Sequence, residues 1–229
     1  GPASEGRRFL DWGVFHVEPG YLAAWRQYRR VLGQRNAALK SAKGTAELRA
    51  WTQALAAAGA EVHRARAAYA AKLNDATRGF GSELLGIPVE LEYKAGWAAD
   101  RTLEEALAEG EAGDRLQGAT QAGPHRADLR VLLDAHRVRD EASRGQQKLV
   151  AIALVLGQVR QHYAATQRPP LVLVDDPAAE LDQANLERLL ATLDGLPAQL
   201  IVTSLTGALV PADTSLPVFH VERGHVKQL

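Results

Sequence analysis

The sequence predicts an α/β fold whose front half is helical, and three features carry that expectation. Two long segments near the start repeat apolar residues at helical spacing. An apolar run at 171–174, "LVLV", stops abruptly at Asp175 and Asp176. Strand-like and helix-like patterns then alternate to the end of the chain, as in a sheet with helical crossovers.

In chain order, "GYLAAWRQYRRVLGQRNAALKSA" (20–42) sets Leu22, Trp25, Tyr28, Val31, Leu32 and Leu39 on one stripe, with arginines over much of the rest. Residues 46–78 are alanine-rich and repeat the pattern through Leu48, Trp51, Leu55, Val62, Tyr69 and Leu73. Gly44 and Thr45 separate the two, which predicts a helical hairpin, with Gly59 as a candidate interruption of its second helix. "IPVELEY" (87–93) alternates apolar and acidic residues and predicts a half-exposed strand. "RTLEEALAEGEAGDRL" (101–116) predicts one acidic helix, and "ADLRVLLD" (127–134) a second strand. Ser143 opens an apolar helix running to about His162, with Leu149, Ile152, Ala153, Leu156 and Val159 on one face. "LVLV" reads as a buried strand of the parallel-sheet kind. A helix near 183–194, a strand at 198–204 and a last strand at 217–224 complete the pattern.

The chain has 229 residues, 46% hydrophobic and 24% charged, the composition of an ordinary globular protein. It has no apolar run of bilayer-spanning length and no signal peptide pattern, so no membrane role is expected. Cysteine is absent, which excludes disulfides and thiolate metal sites and fits a reducing cytoplasm. Methionine is absent too, and the opening "GPAS" (1–4) reads as the remnant of a cleaved tag, so the natural protein is expected to start upstream.

The zero net charge conceals a segregation. Residues 7–78 hold 13 Lys/Arg against 5 Asp/Glu, residues 79–119 hold 3 against 9, and residues 120–229 hold 11 against 12. The basic excess is either a nucleic-acid face or a solvated helical surface. Arg26, Arg29, Arg30 and Arg35 are the candidate phosphate contacts. Trp12, Trp25, Trp51 and Trp97 either stack on bases or belong to the core. His16 and His125 have no partner at metal-ligand spacing and are expected to pack. His63, His162, His220 and His225 read as surface or edge residues.

Two motifs carry chemistry. Adjacent carboxylates at a strand end repel unless a cation or proton lies between them. At "LVLVDD", Asp175 is placed to hold Mg²⁺ and Asp176 to orient or deprotonate an attacking water, the division that phosphoryl hydrolysis needs. Read alone, the pattern is weak, and the ordinary alternative is a strand end whose aspartates cap the next turn. In "ASRGQQKLVAIAL", Ser143 is a natural N-cap, Gly145 lets a ligand approach the backbone, and Gln146 and Gln147 add donors. The helix dipole favours an anion there.

A Ser-x-Gly-Gln helix followed by a strand ending in Asp-Asp and then Glu-Leu-Asp resembles the ATP-binding cassette type of ATPase head, in its SMC-like branch. With "RRFLDWGVFHVEPGYLAAWRQYRRVLGQRNAALK", "GPHRADL" (123–129), "SRGQQK" (143–148) and "VDDPAAELD" (174–182), the chain resembles the RecF family of bacterial DNA replication and repair proteins. That resemblance implies the C-terminal part of a head with an inserted helical arm. Residues 5–19 would end the first lobe, 20–118 would form the arm, and 119–229 the second lobe. It also implies an ATP-dependent homodimer on single-stranded or gapped DNA, with RecR and RecO as partners, a part in the SOS response, and a cytoplasmic, nucleoid-associated location. Ser143, Arg144, Gly145 and Gln146 would be the signature loop acting on the partner copy's nucleotide. Asp175 would be the Walker B magnesium carboxylate, Asp176 its catalytic neighbour, and Glu180, Leu181 and Asp182 the D-loop. Ala179 replaces the family's usual serine, and Thr203 or Ser204 stands where a switch histidine is customary. No G-x-x-x-x-G-K-[ST] occurs in the chain. The parent would be a weak, DNA-stimulated ATPase using ATP and Mg²⁺, and this stretch alone would be inactive, with neither bound tightly. The competing reading is a module that binds DNA or protein without chemistry.

Overall fold

The computed structural model describes residues 2–41, 45–205 and 217–228, so the turn expected at Gly44 lies outside the described residues. The chain divides into two compact units, Gly1–Pro170 and Leu171–Leu229.

The first unit begins with a helix the sequence does not predict, α1 (Pro2–Val17). Its Leu10 and Val14, four apart and therefore on one face, are both buried. The expected hairpin follows as α2 (Tyr21–Lys40) and α3 (Thr45–Leu85). Their stripes meet in one core with α1, in which Tyr28, Val31, Leu55, Val62, Tyr69 and Leu73 join Leu10 and Val14. Gly59 does not interrupt α3, which runs unbroken for 41 residues. A Cβ there would sit 2.4 Å from Leu103 Cδ2, so glycine is needed for close approach and not for a bend.

Strand β1 (Val89–Lys94) follows, and α3 reaches it directly: Asn74 Oδ1 accepts from Leu91 N at 2.7 Å. The predicted acidic helix is instead two, α4 (Leu103–Glu109) and α5 (Glu111–Gln117), because the chain breaks at Gly110. Strand β2 (Asp128–Leu133) pairs antiparallel with β1, Val89 opposite Leu133 and Lys94 opposite Asp128. A two-residue turn at Asp134 and Ala135, both at positive φ, returns β2 into the short β3 (His136–Arg137). A one-turn helix, α6 (Val138–Glu141), leads to α7 (Arg144–Thr166). α7 buries Leu149, Ala153, Leu156 and Val159 as predicted and lies along α3 and α1, with Gln158 Nε2 donating to Phe9 O at 2.9 Å.

Between α5 and β2, residues 119–127 form a strap held by polar side chains from the three helices α1, α2 and α3. Arg66 Nη1 donates to Pro124 O at 2.6 Å and also forms a bidentate pair with Asp11. Arg35 Nη1 donates to Thr120 Oγ1, and Arg7 Nη1 to Ala127 O, each at 2.7 Å. His125 bridges Tyr28 OH and Thr120 O at 2.6 and 2.9 Å, the packing role expected of it. Gly123 (φ +136) and Gly96 (φ +96) touch where their conformations and lack of Cβ are both required: a Cβ on Gly96 would lie 2.3 Å from Gly123 O. Burial pushes the His125 imidazole below the usual histidine range, and the Arg126 and Arg7 charges add to that against the opposing Thr120 bond.

The second unit pairs β4 (Leu171–Val174) in parallel with β5 (Gln199–Val202), joined through α8 (Pro177–Glu180) and α9 (Gln183–Asp194). β4 is not the buried strand that its composition predicts. Leu171 and Leu173 share one face and are 54% and 69% exposed, so that face is left largely uncovered by the described residues. The last predicted strand is a hairpin of β6 (Phe219–Glu222) and β7 (His225–Gln228) about Arg223 and Gly224.

Candidate functional site

The acidic pair sits where two parallel strands end together. Val174 lies opposite Val202, so Asp175 and Thr203 leave the sheet side by side. Thr203 N donates to Val174 O at 2.9 Å, carrying the ladder one step past the strands. The Thr203 hydroxyl donates to Asp175 Oδ1 at 2.5 Å and accepts from Asp176 N at 3.1 Å. Asp176 is left-handed (φ 39, ψ 57). The proline after it disfavours the right-handed helical region, and aspartate tolerates the left-handed one better than most residues.

Pro177 then starts α8, and Leu181 leads to Asp182, which caps α9: its Oδ1 accepts from Asn185 N at 2.9 Å. Glu180 and Asp182 are both exposed, and Leu181 is half-buried. Ser204 is exposed beside Thr203. Oxygen ligands alone suit a hard cation such as Mg²⁺, which protein sites commonly hold with one or two carboxylates plus phosphate. Among the described residues no group of three His, Cys, Asp or Glu could hold a metal by itself. A Mg²⁺ held by one or two carboxylates here would complete its shell with water or phosphate oxygens.

In the first unit, Ser143 caps α7 as expected. Its Oγ accepts from Gln146 N at 3.3 Å while Gln146 Oε1 accepts from Ser143 N at 2.9 Å, a reciprocal capping box. The two glutamines therefore serve the helix end itself: Gln146 closes the box and Gln147 Nε2 donates to Ala142 O at 2.9 Å. Arg144 and Gly145 are exposed, and a Cβ on Gly145 would meet nothing within 4 Å. Glycine costs a helix about 1 kcal/mol relative to alanine, and no packing within the chain asks for it here.

The four candidate DNA arginines separate. Arg26, Arg29 and Arg30 are exposed on α2, with the Arg29 guanidinium 4.9 Å from the Trp25 ring centroid. Arg35 is withdrawn from that set. It is 0% exposed and paired with Asp114 at 2.7 Å, because it lies on the buried stripe with Tyr28, Val31 and Leu39. His63, expected at the surface, stacks on Tyr93 and meets Trp97 edge-on; burial and the nearby Arg66 charge push its pKa down. Trp12 is 55% exposed, whereas Trp25, Trp51 and Trp97 pack against the core. The Arg66–Asp11–Tyr21 cluster was not legible as a unit, since its members lie 55 and 45 positions apart.

The model of the RecF/RecN/SMC N terminal domain matches residues 31–227. The DNA replication and repair protein RecF of Thioalkalivibrio sulfidiphilus is 42% identical over 96% of this chain and 62% of its own length. The RecF proteins of Pseudomonas fluorescens Pf0-1 and Stenotrophomonas maltophilia R551-3 are 40% and 41% identical over 97% and 96% of this chain, again covering 62% of their own lengths. The chain thus spans somewhat less than two thirds of these curated relatives. A solved structure of the recombination mediator protein RecF-ATPrS in the RecFOR pathway superposes with TM-score 0.80 and 26% identity, over 100% of this chain and 64% of that one. The Smc head domain from Pyrococcus furiosus, with its extended coiled coil, aligns at TM-score 0.53 and 15% identity over 98% of this chain and 56% of that one. The second likeness concerns the fold alone. The architecture is that of part of an SMC-like ATPase head with a helical arm.

Proposed function

Because the chain belongs to the RecF/RecN/SMC family, on its RecF branch, we propose that it is the nucleotide-responsive and DNA-binding portion of a RecF-type repair ATPase. The observation that carries this reading is the joint strand end, where one hydroxyl holds the Asp175 carboxylate and the backbone N–H of Asp176, whose adjacent side chains suit phosphate chemistry. Mg²⁺ bound with ATP would supply charge neutralisation at the transferring phosphate. Asp175 is the carboxylate that would hold it. Asp176 orients the attacking water and takes its proton.

Ser143, Arg144, Gly145 and Gln146 act in trans, on the γ-phosphate of a nucleotide held by a facing copy. The open surface at Gly145 supports this, since it leaves room for a ligand against the backbone. Glu180, Leu181 and Asp182 lie at the seam between copies. Arg26, Arg29 and Arg30 contact the DNA backbone of a single-stranded or gapped substrate. ATP binding drives dimerisation and hydrolysis ends it, in a recombination step shared with RecR and RecO. The decisive experiment is ATP hydrolysis by the full native protein, with and without DNA, beside Asp176→Asn. A loss of roughly 100-fold or more is expected. Unchanged turnover in the variant overturns the catalytic assignment.

A further inference from the structure

Thr203 occupies a place where a phosphate sensor is customary in such heads, yet its bonds run elsewhere. A hydroxyl has one proton to give. Here that proton goes to Asp175 Oδ1 at 2.5 Å, and a lone pair takes the Asp176 N–H at 3.1 Å. Its own N–H is committed to Val174 O at 2.9 Å. One residue of β5's end therefore holds three successive groups of β4's end: a carbonyl, a carboxylate and an amide. The amide it holds belongs to the residue whose backbone is left-handed (φ 39), the least freely adopted conformation in this turn.

We propose that Thr203 is the positioning residue of the acidic pair and not a sensor of the γ-phosphate. By occupying Oδ1 it fixes the Asp175 side chain and leaves Oδ2 as the oxygen offered to a cation. By accepting from Asp176 N it keeps the left-handed turn closed, which sets where the Asp176 carboxylate stands. A hydroxyl whose proton is given to Asp175 cannot donate to a phosphate oxygen at the same time. The inference rests on the ATPase reading for its consequence, but its geometry is testable without turnover.

The test uses Thr203→Val, which keeps the shape, and Thr203→Ser, which keeps the hydroxyl, beside Asp176→Asn. Amide hydrogen exchange at Asp176, read by NMR in this chain, is expected to speed up about tenfold in Thr203→Val and to stay near wild type in Thr203→Ser. In the full native protein, Thr203→Val is expected to lower kcat about tenfold or more, with KM for ATP nearly unchanged and the half-saturating Mg²⁺ concentration raised. Thr203→Ser restores kcat to within about threefold of wild type. Unaltered Asp176 exchange in Thr203→Val refutes the brace whatever the activity. A raised KM for ATP at constant kcat makes Thr203 a nucleotide contact and also refutes it, as does a Thr203→Ser variant as impaired as Thr203→Val. Wild-type turnover in Thr203→Val with a dead Asp176→Asn sinks this inference alone, whereas an active Asp176→Asn sinks the ATPase reading beneath it.

Discussion

Replacing Arg35 by methionine separates a buried arginine from its exposed neighbours on the same helix. Arg35 donates to Asp114 Oδ2 and Thr120 Oγ1, both at 2.7 Å, and to Thr52 Oγ1 at 3.0 Å, with the pair 0% and 2% exposed. Methionine fills similar space but strands the Asp114 carboxylate, whose other oxygen keeps only the Gln121 N–H at 2.9 Å. Removing one partner of a buried pair typically costs about 3–5 kcal/mol. For a chain of this size that corresponds to a melting temperature lower by roughly 6–20 °C. The double variant Arg35→Met/Asp114→Leu removes both charges, together with Arg35 Nη2, which is buried without a partner among the described residues. It should return to within about 1 kcal/mol of wild type or exceed it. Thermal and urea unfolding followed by far-UV circular dichroism measure both. DNA affinity of Arg35→Met, taken below its melting point, should match wild type. A single variant that loses less than about 1 kcal/mol, or a double variant as unstable as the single, refutes the argument.

Three further outcomes follow from other sites. Exposed Arg26, Arg29 and Arg30 should each leave stability within about 0.5 kcal/mol when changed to alanine, while the triple variant flattens the salt dependence of single-stranded DNA binding by about 2 in log–log slope; fluorescence anisotropy across a salt series reads this. A Cβ at Gly81 would lie 2.4 Å from Val89 N, a backbone atom that cannot swing aside, so Gly81→Ala should cost about 1–3 kcal/mol. Gly145→Ala, facing open space, should be neutral or gain up to about 1 kcal/mol, and the same unfolding curves compare the two. Burial, chiefly, holds His125 and His63 below the ordinary histidine range. Their contribution to stability is complete above a pH of about 6.5 and is lost as pH falls below it, because the unfolded chain takes up protons first. Urea midpoints between neutral and mildly acidic pH should therefore drop, and less so in His125→Gln.

The hairpin of α2 and α3 was legible because Tyr28, Val31, Leu55 and Leu73 repeat at helical spacing, and every one of them is buried. The cap at Ser143 was legible from residue chemistry alone, since serine three places before glutamine forms a local box. The signal for Arg35 was present but easily overruled: it lies seven residues after Tyr28, on the buried stripe, and an arginine there invites a surface reading. α1 was missed although Leu10 and Val14 are spaced for one face. The second strand of the last hairpin was announced by Arg-Gly at 223–224, a turn pair with both φ positive. What no local pattern could show is Thr203 bracing Asp175, because the bond joins residues 28 positions apart. Nor could composition reveal that β4 leaves Leu173 open, since exposure depends on what packs over a strand's face and not on the strand.

The strap at 119–127 has a consequence for the order in which the chain can finish folding. Arg66 finds the Pro124 carbonyl 58 positions later, Arg35 finds Thr120 after 85, and Arg7 waits 120 positions for Ala127. At ribosomal speeds of about 5–20 residues per second, Arg66 exists for roughly 3–12 seconds before its acceptor is made. The helices around Arg66 and Arg35 can form in that interval, but neither guanidinium can yet be sealed from water without losing hydrogen bonds that water was supplying. The nascent arm therefore stays hydrated along its inner seam until the strap emerges and displaces that water. Drying of that seam waits on the nine residues of the strap.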